Sequence, residues 1–151
     1  MNNHNLANRI DQLSNDDNFQ KLVGVIISGG FKAAAVALRI IDILKNSNDT
    51  EDYQELYVCC QNLTKNASFL GNSFQNYSNS SRSAIYKNPD VSNNMTRLSE
   101  NLGYLSKVNW SRYLKQSQSN IKLHSSLKKL KDVTVGWVKV SNILFNQIKD
   151  R

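Results

Sequence analysis

The sequence predicts an all-α protein, a four-helix bundle with a short extra N-terminal helix. Apolar residues recur at alternating spacings of three and four in several long segments, which places them on one face of a helix. One proline and six glycines among 151 residues leave few of the turns that a β-sandwich or barrel needs. Hydrophobic content of 40% and charged content of 21% are ordinary for a globular protein. The length suits one domain with a buried core, spanning residues 1–151.

The most apolar stretch, residues 22–44, predicts a central helix over about 17–45. A shorter helix is predicted before it, over 3–14. Residues 22–38 contain one charge, Lys32, and fall just short of the roughly 20 apolar residues that cross a membrane. We therefore expect a core helix, and a membrane-inserting segment is the alternative.

Three more helices are predicted from apolar stripes. Thr50 is the expected cap of a helix over 50–78, and Asn88 is the expected cap of a helix over 89–115. The last helix is expected over 120–149. The stripes consist of Tyr53, Leu56, Cys60, Leu63, Ala67, Leu70, Phe74 and Tyr77, then Val91, Met95, Leu98, Leu102 and Leu105, then Leu123, Leu127, Leu130, Thr134, Trp137, Ser141, Leu144 and Ile148.

One part of the last segment has an alternative interpretation. Residues 133–140 are rich in β-branched side chains, which are typical of strands. A lone strand has no evident partner in this chain, so helix is the preferred prediction. Short connections between the long helices favour antiparallel neighbours.

Residue types that carry chemistry are sparse. Cys59 and Cys60 are adjacent, no CxxC pair exists, and His4 and His124 lie far apart, so we expect no metal site and no cofactor. The glycine pair at 29–30 lacks the lysine and spacing of a phosphate-binding loop. We expect no enzymatic activity and no small-molecule substrate.

Charge is distributed unevenly along the chain. Residues 1–96 contain 8 Lys/Arg and 9 Asp/Glu, a net charge of −1, while residues 97–151 contain 11 and 3, a net charge of +8. Together these give the +7 of the whole chain. Lys115, Lys122 and Lys129 are seven residues apart and would share one side of a continuous helix.

Basic side chains can neutralise phosphates, and exposed aromatic rings can stack on unpaired bases. A solvated face, with the aromatic rings in the core, and an acidic membrane surface are the two alternatives. The predicted nucleic-acid-binding residues are Arg112, Lys115, Lys122, Lys128, Lys129, Lys131, Trp110 and Tyr113.

In size, helical content and basic balance the chain resembles the small helical-bundle subunits of RNA-guided effector complexes. That resemblance implies a subunit that lines a nucleic-acid channel without doing chemistry. The apolar central helix also resembles the N-terminal bundles of membrane-permeabilising cell-death proteins. Neither resemblance assigns a role to a particular residue.

The resulting hypothesis is a non-catalytic subunit or adaptor that contacts RNA or single-stranded DNA and other protein subunits. The polar start of the chain lacks a secretory pattern, so we expect a cytoplasmic protein. One alternative is a membrane-associating bundle that uses the central helix. The other is a protein–protein interaction bundle whose basic face is only solvated.

Overall fold

The structure is a computed structural model that describes residues 3–76 and 87–149. Every regular element in those two ranges is an α-helix, which confirms the all-α prediction. Residues 133–140 are helical, so the strand alternative is wrong. The helices are α1 (Asn3–Asn15), α2 (Asp17–Ser47), α3 (Gln54–Asn76), α4 (Pro89–Ser106), α5 (Trp110–Gln116) and α6 (Ile121–Lys149).

Helix α2 lies among the other long helices. It contacts α1, α3, α6 and, less extensively, α4. Eight of the nine residues in 33–41 are buried, and Arg39 is the half-buried exception. The stretch therefore forms a core helix, as predicted. No helix in the described parts of the chain is long and apolar enough to cross a membrane.

The central helix is interrupted, which corrects the prediction of one regular helix over 17–45. Gly24 has φ 81° and ψ 171°, which is not helical. This backbone region is essentially restricted to glycine, because a Cβ atom would clash there. Helical segments precede and follow Gly24 within α2, over 17–23 and 25–47.

The chain reverses direction at this glycine. The guanidinium of Arg39 donates a hydrogen bond to Asn8 Oδ1 (3.0 Å), and Leu6 lines one cleft with Leu38 and Ile41. Asn8 lies 16 residues before Gly24 and Arg39 lies 15 residues after it. Such symmetric pairing is what two antiparallel helices give when the turn lies midway between them.

Helices α2 and α6 are also antiparallel. Gly29 of α2 lies against Trp137 of α6, whereas Asp42 lines a cleft together with Lys122. Later residues of α2 therefore meet earlier residues of α6. Helices α3 and α4 contact each other, and α4 also contacts α6.

Two helix boundaries near residue 50 differ from the prediction by a few residues. Asn48 has φ 58°, and Asp49 N–H donates to Leu44 O (3.1 Å), a pattern that ends α2 with a left-handed residue. Residues 50–53 form turns, so Thr50 does not cap α3, which begins at Gln54. The predicted end of this helix at residues 77–78 lies outside the described residues.

The predicted helix over 89–115 is wrong, because it is two helices. Its start is as predicted, with Asn88 Oδ1 accepting from Asp90 N–H (2.9 Å). Helix α4 then ends at Ser106, and Asn109 caps a new helix by accepting from Arg112 N–H (3.1 Å). An asparagine side chain can replace a helical hydrogen bond in this way, which starts α5.

The predicted stripes form most of the core. In the described side chains, Met95, Trp137 and Ser141 are half-buried and the others are buried. Side chains at Phe74, Tyr77, Leu144 and Ile148 lie outside the described set. The buried stripe members are Tyr53, Leu56, Cys60, Leu63, Ala67, Leu70, Val91, Leu98, Leu102, Leu105, Leu123, Leu127, Leu130 and Thr134.

The contact between α2 and α4 can be tested with a pair of glycines. A Cβ at Gly30 would lie 2.8 Å from Leu98 Cδ2 and 3.3 Å from Leu102 Cδ1, while a Cβ at Gly103 would meet nothing within 4 Å. We predict that Gly103→Ala raises the free energy of unfolding by about 0.5–1 kcal/mol. Gly30→Ala should lower it, because overpacking a buried site costs about 1–3 kcal/mol.

Urea unfolding of both variants measures this difference. Because both substitutions exchange the same residues inside a helix, their difference reports the packing around each glycine. Equal stabilisation by the two substitutions would show that α4 does not approach α2 at Gly30.

Candidate functional site

The predicted basic residues lie on two helices rather than one. Lys115 is on α5, whereas Lys122 and Lys129 are on α6, and residues 117–120 separate the two helices. The expected continuous row of three lysines is therefore wrong. The side chains of Arg112, Lys115, Lys122, Lys128 and Lys129 are exposed, and Lys131 is half-buried.

The two aromatic residues of the predicted site are in the core. Trp110 is 6% exposed and Tyr113 is 3% exposed. Tyr113 stacks on Tyr53, with ring centroids 5.6 Å apart. Neither ring offers a face to an unpaired base, so the expectation that they provide a stacking surface is wrong.

Arg112 and Glu55, an acidic residue at the start of α3, both lie near the phenol of Tyr113. Tyr113 O–H donates a long hydrogen bond to Glu55 Oε2 (3.4 Å). Burial raises the pKa of Tyr113, the nearby Glu55 carboxylate raises it further, and the Arg112 guanidinium lowers it. Because both charged groups act on one phenol, Glu55 offsets part of the positive potential of Arg112.

A cleft of about 380 Å³ lies between α2 and α6 and brings basic residues of both helices together. Arg39 comes from α2 and Lys122 from α6, while Asp42 contributes one negative charge. Arg39 also donates a hydrogen bond to Asn8 of α1, which does not line this cleft. The remaining lining residues are Ile43, Asn46 and Ser126.

Two further lysines extend this row of charges. Lys32 precedes Arg39 by seven residues, and Lys129 follows Lys122 by seven. Seven residues make nearly two helical turns, so each lysine lies on the same side of its helix as its partner. We call the surface formed by Lys32, Arg39, Lys122 and Lys129 the basic groove. It extends over roughly 18 Å, at about 1.5 Å of rise per residue.

Two of the four residues of the basic groove, those on α2, were not predicted from the sequence. The α6 lysines were predicted as binding residues, but Lys32 and Arg39 were not. The signal was present, since these are the only two basic residues in 22–44 and they share one helical side. The sequence does not show which helix packs beside these two residues.

Other polar clusters are better explained as structural contacts. Ser117 Oγ lies 2.9 Å from His124 Nδ1 and 3.1 Å from Leu114 O, and Ser117 is buried, so the pair joins α5 to α6. Cys59 and Cys60 are not in a disulfide, and burial raises the pKa of both thiols. In the described residues, no group of three or more His, Cys, Asp or Glu could hold a metal ion.

Two further clefts are lined by residues of α1 and α3. One, of about 400 Å³, also includes residues of α2 and contains Lys45 and Lys65 with no acidic residue. The other, of about 310 Å³, includes Arg9. The lining of the cleft between α2 and α6 also has two basic residues, so the preference for the basic groove depends on Lys32 and Lys129, which extend that cleft to four basic residues.

No protein-family model matches the chain, and no curated protein or solved structure matches it significantly. The functional argument therefore depends on the geometry described above.

The stacked tyrosines should make the free energy of unfolding decrease at alkaline pH. Burial raises the pKa of Tyr53, and Asp49 and Asp52 raise it further; the pKa of Tyr113 is raised as well. The folded state thus keeps protons that the unfolded chain loses above about pH 10. The stabilisation is complete below that pH and is lost as the pH rises through the folded-state pKa values.

We predict that urea unfolding shows decreasing stability as the pH rises above about 10, with a smaller decrease after combined Tyr53→Phe and Tyr113→Phe substitution. The same decrease in parent and variant would show that these phenols do not cause it.

Proposed function

We propose that this protein is a non-catalytic helical-bundle subunit or adaptor that holds a nucleic-acid backbone in the basic groove. The observation that carries the proposal is the convergence of two basic pairs, Lys32 with Arg39 and Lys122 with Lys129, on adjacent antiparallel helices. Lysine and arginine in a row can neutralise successive phosphates along a strand.

The proposal treats α2, α3, α4 and α6 as a four-helix bundle, with α1 as the extra N-terminal helix. Its support is the set of helix contacts, in which α2 and α4 each touch both α3 and α6. In such a bundle every long helix has one outer surface, and the basic groove lies where α2 and α6 meet. Contacts of this kind need no catalytic residue, which is why we propose a binding role.

Buried aromatic rings define the expected specificity. Because Trp110 and Tyr113 are unavailable for stacking, recognition should depend on the phosphate backbone and show little sequence preference. Duplexes should bind at least as well as single strands, since their charge density is higher. This differs from the sequence-based expectation, in which an exposed ring would favour unpaired bases.

The decisive experiment compares two variants with the same change of charge. The groove variant carries Lys32→Glu, Lys122→Glu and Lys129→Glu. The control variant carries Lys65→Glu, Lys87→Glu and Arg97→Glu, which replace exposed residues on or beside α3 and α4. Each variant lowers the net charge of the protein by six, so a difference between them reports position and not total charge.

We predict that the parent binds RNA and duplex DNA of arbitrary sequence, measured by fluorescence anisotropy at low salt. Four neutralised phosphates would give a slope of about −3 to −4 for the logarithm of affinity against the logarithm of salt concentration. The groove variant should lose about a hundredfold in affinity and the control variant much less.

Circular dichroism would confirm that both variants keep the helical content of the parent. Equal loss in the two variants would show a diffuse effect of net charge and refute the groove. Absence of binding by the folded parent at low salt would refute the proposed function itself.

A further inference from the structure

The C-terminal part of α6 continues beyond the buried core. Leu123, Leu127, Leu130 and Thr134 are buried along this helix. None of the side chains at 135–143 is buried. The segment is apolar nevertheless, and two of its aliphatic side chains, three residues apart on the helix, are exposed to solvent, with Val140 43% exposed and Ile143 58% exposed.

The register between α2 and α6 explains why this part of α6 loses its partner. Gly29 lies opposite Trp137, and the chain reverses at Gly24, five residues earlier in α2. Because the helices are antiparallel, this reversal is level with about residue 142 of α6. Helix α6 runs on to Lys149, so its last turns extend roughly 10 Å past the reversal.

The composition of this end is apolar and positively charged. Residues 135–149 have the sequence VGWVKVSNILFNQIK, which contains eight apolar side chains, two lysines and no acidic residue. Upstream in α6, four more lysines accompany a single aspartate. Apolar side chains exposed together, as Val140 and Ile143 are, can mark a site of interaction.

We infer that this end of α6 inserts into the surface of a membrane that contains anionic lipids. Its exposed apolar side chains lie at the end of a helix, whereas the clefts described above lie elsewhere. The excess of lysine along α6 favours an anionic lipid surface as the layer that this end contacts. Lys139 and the upstream lysines add attraction to acidic headgroups.

Charge also argues against a second copy of the chain as the partner that covers the end of α6. Each protein carries a net charge of +7, and much of it lies on α6, so pairing two α6 ends would bring like charges together. The segment of 15 residues is too short to cross the hydrocarbon layer, so the contact is peripheral.

Co-sedimentation with lipid vesicles tests this inference. The parent should sediment with vesicles of phosphatidylcholine and phosphatidylglycerol and much less with vesicles of phosphatidylcholine alone. Val140→Asn combined with Ile143→Asn should weaken binding to the anionic vesicles about tenfold, because less apolar surface enters the bilayer. Ile121→Asn is the matched control, since Ile121 is 84% exposed at the other end of α6, and it should bind like the parent.

Three results would overturn the inference: no sedimentation with anionic vesicles, an equal loss in the Ile121→Asn control, or a lipid-free dimer of the parent that the Val140/Ile143 variant dissociates. The last result would assign the surface to self-association. Both positions are exposed, so the substitutions should preserve folding. Nucleic-acid binding should be unchanged in the Val140/Ile143 variant, which separates this test from that of the basic groove.

Discussion

Burial of α2 is the constraint on which the other helices depend. Residues 33–41 are apolar on nearly every side, so several helices must surround them to remove that surface from water. Glycine at position 30 and the alanines at 33–35 and 37 let those helices come close. Within residues 27–44 only a narrow strip of α2 stays open, and Lys32 and Arg39 lie on it. Packing therefore places the two cations beside α6, where further lysines are exposed.

Helical periodicity was sufficient to predict the long helices, because each depends on one uninterrupted apolar stripe. Chain reversals were harder to predict. Gly24 lies inside a helical pattern, and a glycine there is compatible with either a continuous helix or a left-handed break. Asn109 is similar, since its effect depends on a short-range hydrogen bond that competes with the helix. Such choices are settled by tertiary packing, here the burial of Trp110 and Tyr113.

Only part of the candidate site could be predicted, because contacts between helices are not visible in the sequence. Basic residues in α6 are visible in the sequence as an excess of charge. The neighbours of Arg112 are not visible in this way, because Glu55 and Tyr113 are 58 residues apart and meet only through the fold. The approach of Arg39 to Lys122 likewise depends on which helices are adjacent. The sequence therefore identifies the sign of the surface charge, and the structure shows which charged residues lie close together.

The antiparallel register of α2 and α6 is the central claim, and disulfide trapping tests it most directly. In a Cys59→Ser background with buried Cys60 retained, Asn46→Cys with Lys122→Cys should cross-link readily, since both positions line the same cleft. Lys32→Cys with Lys122→Cys should not, because those positions are separated by roughly 18 Å along the helices. Cross-linking is read on non-reducing gels. Rapid cross-linking of the second pair with none of the first would contradict the register, and with it the basic groove that depends on that register.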